Sequence, residues 1–322
     1  MNFAPYFDKS ADLPGVPIQG MRGYRSVPEA TYRAFPALNQ SLLKKPSACH
    51  MLHSLTEPDT IGHEASAVGT LTHWAVLEPH KILNLHAHAV ECETKTLDSK
   101  AADRQRAENP DKLICTGEHL RLAADLRKAV LMHDRAQQLL REPGHNEVTG
   151  FHYEEGVWRK WRADRVQSDH RRILDVKTTR FPLCGPRAIG KWESECWERG
   201  YWIQAAWYLH HHQEATGIRP NAWTFIVVSK EPPLHCRLFT VRNYAPDHPL
   251  YAGSALQKAR QLIGLEGGND VPRMAVFLDS ARQTIAAAER GQNLTPELLR
   301  AIWPAEENET EEPEIGLPYL NK

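Results

Sequence analysis

The chain has 322 residues, 41% of them hydrophobic and 25% charged, with a formal net charge of -1. This is an ordinary globular composition, and no stretch has the apolar length of a membrane span. The N-terminus lacks a signal-peptide pattern, so we expect a cytoplasmic protein that makes no membrane contact. The six cysteines are scattered without a C-x-x-C pair. That spacing excludes a zinc knuckle, a disulfide framework and an iron–sulfur cluster.

Composition along the chain predicts three segments. Residues 1–36 are rich in proline and glycine and predict an irregular lead-in. Residues 37–304 are predicted to form a single domain, because the length suits one large core. Residues 305–316 hold six glutamates and no basic residue, so 305–322 is predicted to be a disordered acidic tail. The tail either solubilises the chain or mimics DNA.

The first regular elements are predicted after Leu38. The text LNQSLLKKPSACHMLHSLTEP indicates a short helix ending near Lys45 and a second helix from Pro46, since proline suits a first helical turn. Ser41 and its neighbouring lysines form either a phosphate contact or a solvated face.

The next segments predict a helix, a strand and a longer helix. HEASAVGTLTHWAVLEP has helical spacing, with Gly69 allowing close packing and His73 as either a core group or a ligand. A weak strand is predicted near Leu83 to Val90. The apolar stripe from Thr116 to Arg141 predicts one helix capped by Thr116 and stopped at Gly144.

The stretch from Glu147 to Thr179 is the most informative. In ILDVKTT, Asp175 and Lys177 share one face of a strand, because strand side chains alternate. The preceding run VWRKWRADRV should pair with it as an antiparallel strand, after a hairpin turn at Glu155-Gly156, and bring Asp164 to the same end of the sheet. Two carboxylates and an ammonium group would then converge.

Converging carboxylates repel each other unless a proton or a cation lies between them. Magnesium prefers such oxygen ligands, and a neighbouring lysine can neutralise charge on a scissile phosphate. From Arg159 to Arg187 there are nine Lys or Arg residues, Arg162 among them, against three Asp. That excess of positive charge suits a phosphate-binding site. The alternative is that D-x-K is an ordinary exposed salt bridge.

The segments after the central stretch predict helices and a strand pair. Tyr201 to His212 should form a helix that ends at Gly217, with Gln204 and Tyr208 on one face, either gripping a phosphate or as plain surface groups. NAWTFIVVSK predicts a buried strand that pairs with HCRLFTVR. A further helix is predicted around Tyr251 to Leu265.

Taken in order, the motifs resemble the RecE (exonuclease VIII) nuclease domain. The set is GTLTHWAVLEP, Glu147, Asp164, ILDVKTT and Gln204-x-x-x-Tyr208, with KPSACH near the family's SPxxY position. The likeness runs from about Leu38 to Val241. That family belongs to the PD-(D/E)XK superfamily and is related to the RecB nuclease domain and phage λ exonuclease. Ala163 stands where the superfamily name has proline, which ligates nothing.

We therefore expect an α/β fold with a PD-(D/E)XK core. Its small mixed sheet would comprise strands near Val148, Val157, Ile173, Trp223 and Leu238, flanked by helices at His73, Leu120 and Tyr208.

The resemblance implies a complete set of site residues. The metal ligands would be His73, Asp164, Asp175 and the carbonyl of Val176. The catalytic groups would be Asp164, Asp175 and Lys177, with Glu147 as a supporting acid. The substrate contacts would be Gln204 and Tyr208, to which we add Ser41 and Arg162.

The resemblance further implies an exonuclease that uses one or two Mg²⁺ or Mn²⁺ ions. It would degrade linear double-stranded DNA from 5′ to 3′ and leave 3′ single-stranded tails for recombination, as in phage. The expected partners are DNA, a RecT-like single-strand annealing protein and further copies of this chain. The alternatives are a structure- or strand-specific endonuclease and a catalytically silent DNA-binding protein.

Overall fold

A mixed β-sheet forms the centre of the computed structural model. The structure describes residues 21–24, 29–34, 37–43, 63–154 and 157–265, with Gln283, Arg290 and Gln292. The turn at Glu155-Gly156, the helix from Pro46 and the acidic tail 305–322 lie outside these described residues.

Six strands make the main sheet, in the order β1-β4-β5-β6-β7-β8. These strands are β1 (Met21–Tyr24), β4 (Gly144–Glu154), β5 (Val157–Gln167), β6 (Arg172–Thr179), β7 (Ala222–Ser229) and β8 (Cys236–Arg242). Only the β6–β7 pair is parallel in this sheet as described; the other pairs are antiparallel. Strands β2 (Ala89–Glu91) and β3 (Leu113–Cys115) form a small parallel pair. The five predicted strands and the mixed sheet are confirmed.

Eleven helices accompany the sheet in the described ranges. They are α1 (Glu29–Ala34), α2 (Gln40–Leu43), α3 (His63–Leu77), α4 (Pro79–Leu83), α5 (Leu85–His88), α6 (Lys100–Glu108), α7 (Gly117–Leu131), α8 (Asp134–Arg141), α9 (Ala188–Glu198), α10 (Tyr201–Thr216) and α11 (Ala255–Leu262). The predicted helices at His73, Leu120, Tyr208 and Tyr251–Leu265 are among them. None of these helices has both the length and the apolar character needed to cross a membrane.

The sheet is covered on both faces, which the sequence of β7 requires. All eight residues of AWTFIVVS are buried, as expected of a central strand. On β6, Ile173 packs into the core with the tryptophans of α9 and α10. Leu174 and Val176 pack instead with residues of α3, α7 and α8. Odd-numbered residues of β6, including Asp175 and Lys177, therefore face α9 and α10.

Several predictions for the N-terminal half are wrong. The region predicted as irregular contains β1 and α1. Most of the predicted strand Leu83–Val90 is helical, because Pro79 starts α4 and only Ala89–Glu91 pairs as a strand. A Cβ at Gly69 would meet no atom within 4 Å, so close packing does not explain that glycine.

The helix predicted from Thr116 to Arg141 is two helices. Thr116 does cap the first, accepting a hydrogen bond from the His119 N–H. The first helix ends at Leu131, and the Nδ1 of His133 accepts a hydrogen bond from the Ala136 N–H to start the second. The His133 cap thus divides the segment into two helices, although apolar residues of both helices pack into the same core cluster. Gly144 begins β4 rather than stopping a helix.

A buried histidine packed against a second one predicts acid sensitivity. The ring of His212 is fully buried, with its centroid 5.3 Å from that of His170 and 5.4 Å from that of Trp161. Burial and the neighbouring His170 lower the pKa of His212 to about 3. Between about pH 6.5 and pH 3, His212 is therefore protonated in the unfolded chain but neutral in the folded chain. The free energy of unfolding falls as the pH drops through this range.

We expect His212→Phe to reduce this acid destabilisation by roughly 2 kcal/mol between pH 7 and pH 4, measured by urea unfolding at each pH. The control is His86→Gln, because His86 is exposed. If the His212 variant keeps the pH dependence of the wild-type protein, then His212 is not its source.

Candidate active site

The site lies where β5 and β6 part. Their ladder pairs Arg165 with Leu174 and Val166 with Ile173. Beyond these pairs, the side chain of Asp164 replaces the backbone acceptor, and its Oδ2 accepts a hydrogen bond from the Val176 N–H at 2.8 Å. The carboxylate is thus fixed between two strands, as the antiparallel pairing predicted from the sequence requires.

Helix α3 brings His73 to this point. Its Nε2 lies 3.3 Å from Asp164 Oδ2 and 3.2 Å from Glu147 Oε1. Glu147 lies on β4 between the residues that pair with Arg165 and Ala163, and it has a φ of 54°. Such a φ is uncommon for a residue other than glycine and is often found where a side chain must be aimed at a site. Arg162 Nε holds the other oxygen of Glu147 at 2.5 Å.

The charges of this cluster are strongly coupled. Burial works against the protonated form of His73, but Asp164 and Glu147 outweigh it and raise the pKa of His73 to about 9. Burial also disfavours an ionised Asp164, yet His73, Lys177 and the Val176 N–H lower its pKa to about 2. Burial and Asp164 raise the pKa of Glu147, against the opposing charges of His73 and Arg162. The cluster attracts positive charge.

Asp175 and Lys177 form an ion pair on β6, beside the point where β5 and β6 stop pairing. Asp175 has no solvent exposure, and its Oδ2 contacts Lys177 Nζ. Its Oδ1 accepts a hydrogen bond from Gln204 Nε2 at 2.9 Å. Burial raises the pKa of Asp175 to about 6 although Lys177 opposes the shift. Lys177 also lies 5.2 Å from the centre of the Tyr201 ring and keeps its pKa above the ordinary value, because Asp175 and Asp164 outweigh its burial.

The donor set on the His73 side fits a divalent cation. One ligand atom each from His73, Glu78 and Glu147 lies within 4.8 Å of the others. An imidazole nitrogen with two carboxylate oxygens is a common metal-binding set. Asp164 lies beside this set because it contacts His73. The Oδ2 atom of Asp175 is paired with Lys177, so it could bind a cation only after Lys177 moves away.

Glu78 was not among the predicted site residues. It follows the last residue of α3 and lies five positions after His73, within the LEP text of the quoted motif. A carboxylate just beyond the end of a helix that carries a candidate ligand was the available signal.

The predicted substrate contacts differ in position. Gln204 reaches Asp175, and Arg162 reaches Glu147. Tyr208 is buried in the aromatic core, 5.4 Å from the Trp223 ring centroid. Ser41 is exposed, and its N–H donates to Asn39 Oδ1. The roles of all the predicted site residues remain predictions.

Much of the basic stretch is structural. Arg159, Lys160 and Arg165 are at most 8% exposed. Lys160 Nζ donates to the Tyr32 carbonyl at 2.8 Å, and Arg165 donates to Asn146 Oδ1 at 2.5 Å. The prediction that this positive charge suits a phosphate-binding site is therefore wrong for these three residues, because side chains on both faces of β5 are buried there.

Comparison with solved structures finds a protein of similar fold. A candidate exonuclease from Eubacterium rectale has a TM-score of 0.50 and 14% identity, with 74% of this chain and 80% of that chain covered. The Vibrio cholerae protein VC1899 has 13% identity over 66% of this chain and 50% of that one, with a TM-score of 0.22, which carries no argument. The first likeness shows the fold alone. No curated protein matches the chain.

The sequence also matches a family. Residues 40–258 match the PDDEXK-like domain of unknown function, DUF3799. This match spans α2, α3, the whole β4–β8 part of the sheet and the first half of α11. It includes each residue placed in the site above. The predicted superfamily is thereby confirmed, and divalent metals are generally used by nucleases of this type. The chain belongs to the DUF3799 family of PDDEXK-like domains.

Proposed function

We propose that this chain is a metal-dependent DNA exonuclease. It hydrolyses phosphodiester bonds from 5′ to 3′ on linear double-stranded DNA and leaves 3′ single-stranded tails. The observation that carries the proposal is the convergence of Asp164, Asp175 and Lys177 at the parting of β5 and β6, with His73 beside them. A protein that only binds DNA has no need of a buried acid–lysine pair next to a cation-attracting cluster.

Each protein group has a task in this reaction. Asp164 is held by the Val176 N–H, so its carboxylate keeps a fixed direction while a cation binds. Gln204 fixes Asp175 in the same way. The ammonium group of Lys177 reorients towards an attacking water or towards the developing charge on phosphate, and its raised pKa keeps it protonated at neutral pH.

The cation would be held by His73, Asp164 and Asp175, with Glu147 in support, and we propose Mg²⁺ or Mn²⁺. When bound, it would lower the pKa of water and neutralise charge on the leaving oxygen. Before binding, the acids repel one another and rely on His73 and Lys177 as counter-ions. The acids are therefore already in place for the cation. Cation binding requires little rearrangement apart from the release of Lys177 from Asp175.

The proposed 5′-to-3′ polarity suggests a role in recombination. An enzyme that leaves 3′ tails supplies the substrate of a single-strand annealing protein, and we propose such a protein as the partner. A homo-oligomer would keep the enzyme on its DNA during repeated cleavage. A strand-specific endonuclease of the same fold is the competing outcome of the test.

The test compares DNA ends and metal ions. Linear duplexes labelled at either the 5′ or the 3′ end, and a covalently closed circle, are incubated with the full chain in Mg²⁺, Mn²⁺ or chelator. We expect early release of the 5′ label from linear DNA with either metal, and no reaction in chelator. Nicking of the closed circle would establish an endonuclease, and early release of the 3′ label would reverse the polarity. Intact substrates under every condition would reject the nuclease proposal.

A further inference from the structure

The two glutamates near His73 share one arrangement. Glu78 uses Oε2 for Lys81 Nζ at 2.8 Å, and Glu147 uses Oε2 for Arg162 Nε at 2.5 Å. In each carboxylate, Oε2 is thus paired with a Lys or Arg side chain. The remaining oxygen of Glu147, Oε1, lies 3.2 Å from His73 Nε2.

The contact of Glu147 Oε1 with His73 is an ion pair without hydrogen-bond geometry. Glu147 Oε1 is buried and accepts no hydrogen bond from the described residues. A buried acceptor without a hydrogen bond is costly, and such atoms in native proteins call for an explanation. A cation between His73, Glu78 and Glu147 would satisfy it, since their ligand atoms are already within 4.8 Å of one another.

Lys81 and Arg162 have the role of outer partners of metal ligands. Ligating carboxylates are commonly held by further hydrogen bonds that fix their direction, and loss of these partners weakens metal binding. Lys81 is anchored on α4, three residues after Glu78, and lies 5.4 Å from the centre of the Trp74 ring. Arg162 is anchored on β5, 5.8 Å from the Tyr32 ring. Two separate elements thus orient the two acids towards one point.

The remaining acids belong to a different neighbourhood. Asp164 is tied to the Val176 N–H, and Asp175 to Gln204 and Lys177. Neither contacts Lys81, whose ion-pair partner is Glu78. The site therefore has two groups of ligands that meet at His73 and Asp164, rather than one.

We propose that His73, Glu78 and Glu147 form a second cation position, that the Asp164–Asp175 position keeps only oxygen ligands when both positions are filled, and that the second position prefers Mn²⁺ to Mg²⁺. The preference follows from the imidazole ligand, because first-row transition ions accept nitrogen readily whereas Mg²⁺ favours oxygen and keeps its waters. The inference deepens the proposed nuclease function, but its test measures binding and does not depend on DNA cleavage.

The test measures Mn²⁺ binding to the metal-free full chain by electron paramagnetic resonance of the free ion. We expect Glu78→Gln to weaken one class of Mn²⁺ site at least tenfold and to leave the other class in place. Asp175→Asn should have the opposite selectivity. Excess Mg²⁺ should displace Mn²⁺ from the Asp175-dependent site at lower concentration than from the Glu78-dependent site. Glu108→Gln, an exposed acid on α6, is the matched control.

A second variant separates ligation from folding. Glu78 precedes α4 without a side-chain capping bond, and the amide oxygen in Glu78→Gln can still accept the hydrogen bond from Lys81, so the thermal midpoint should stay close to that of the wild-type protein. Lys81→Met keeps Glu78 but removes its orienting partner, and we expect Mn²⁺ binding to weaken several-fold at the same site. If Glu78→Gln binds Mn²⁺ as the wild-type protein does, the proposed position is rejected.

The remaining outcomes are also decisive. Loss of all Mn²⁺ binding in Asp175→Asn would mean a single position and overturn the inference. Equal displacement of both Mn²⁺ classes by Mg²⁺ would overturn the ion preference. Glu78-dependent Mn²⁺ binding without DNA cleavage would reject the nuclease proposal and keep this inference. DNA cleavage with unaltered Mn²⁺ binding in Glu78→Gln would reject this inference and keep the nuclease proposal.

Discussion

Asp175→Asn should reduce the rate of DNA hydrolysis by about 10³-fold, because a catalytic cation contributes several kcal/mol and each 1.36 kcal/mol is a factor of ten. The substitution is nearly isosteric, and the amide oxygen can still accept the hydrogen bond from Gln204. It removes a buried charge whose pKa burial has raised to about 6. Lys177 loses its counter-ion, but its side chain is 19% exposed and still faces Asp164, so we expect a thermal midpoint close to that of the wild-type protein. The measurement is single-turnover release of labelled nucleotide in saturating Mg²⁺.

A matched control for this variant is Asp111→Asn, which alters an exposed acid outside the site. It should cleave DNA at the wild-type rate. Near-normal cleavage by Asp175→Asn, with the circular dichroism of the folded protein, would remove Asp175 from the catalytic set and with it the D-x-K interpretation of β6.

Lys177→Met should reduce both activity and stability. Loss of a charged group that stabilises developing charge on phosphate costs about 10²-fold in the rate of hydrolysis. In addition, the substitution leaves the fully buried Asp175 without its counter-ion. Removing one partner of a buried ion pair costs about 3 kcal/mol. Denaturant unfolding of the metal-free protein measures the second effect separately from catalysis.

The double variant Asp175→Asn/Lys177→Met tests this explanation. With both charges absent, no buried carboxylate lacks a counter-ion, so most of the stability lost in Lys177→Met should return, while activity stays low. Equal stability losses in the single and double variants would show that Lys177 stabilises the fold through its stem and the Tyr201 ring. Lys177→Arg keeps the charge and serves as the control for it.

Local pattern was sufficient for the elements that carry the acids. The alternation in ILDVKTT placed Asp175 and Lys177 on one face, and the aromatic run before it predicted the antiparallel strand that carries Asp164. Both follow from strand periodicity, which any register preserves. The same local reasoning failed at Leu83–Val90, where Pro79 starts a helix, and at His133, which caps a new helix within a continuous apolar stripe.

Packing decided what each charge does. The basic stretch in β5 suggested a phosphate surface, but alternation turns Lys160 inward, where its ammonium meets the Tyr32 carbonyl. The count of positive charges in a sequence does not say which face each side chain takes. Tyr208 likewise shares a helical face with Gln204 yet lies among buried aromatic rings, because α10 rests on the sheet along that face.

The sequence by itself determined the α/β sheet and the presence of Asp164, Asp175 and Lys177 on neighbouring strands, since these depend on spacing along the chain. Only the tertiary structure decided that Glu78 joins His73 and Glu147 within 4.8 Å. His73 and Glu78 lie five residues apart at the end of α3, whereas Glu147 lies on β4, so the distance between them depends on how α3 packs against the sheet. Ligand sets assembled from such distant segments have no periodic signature, because their geometry exists only after the core has formed.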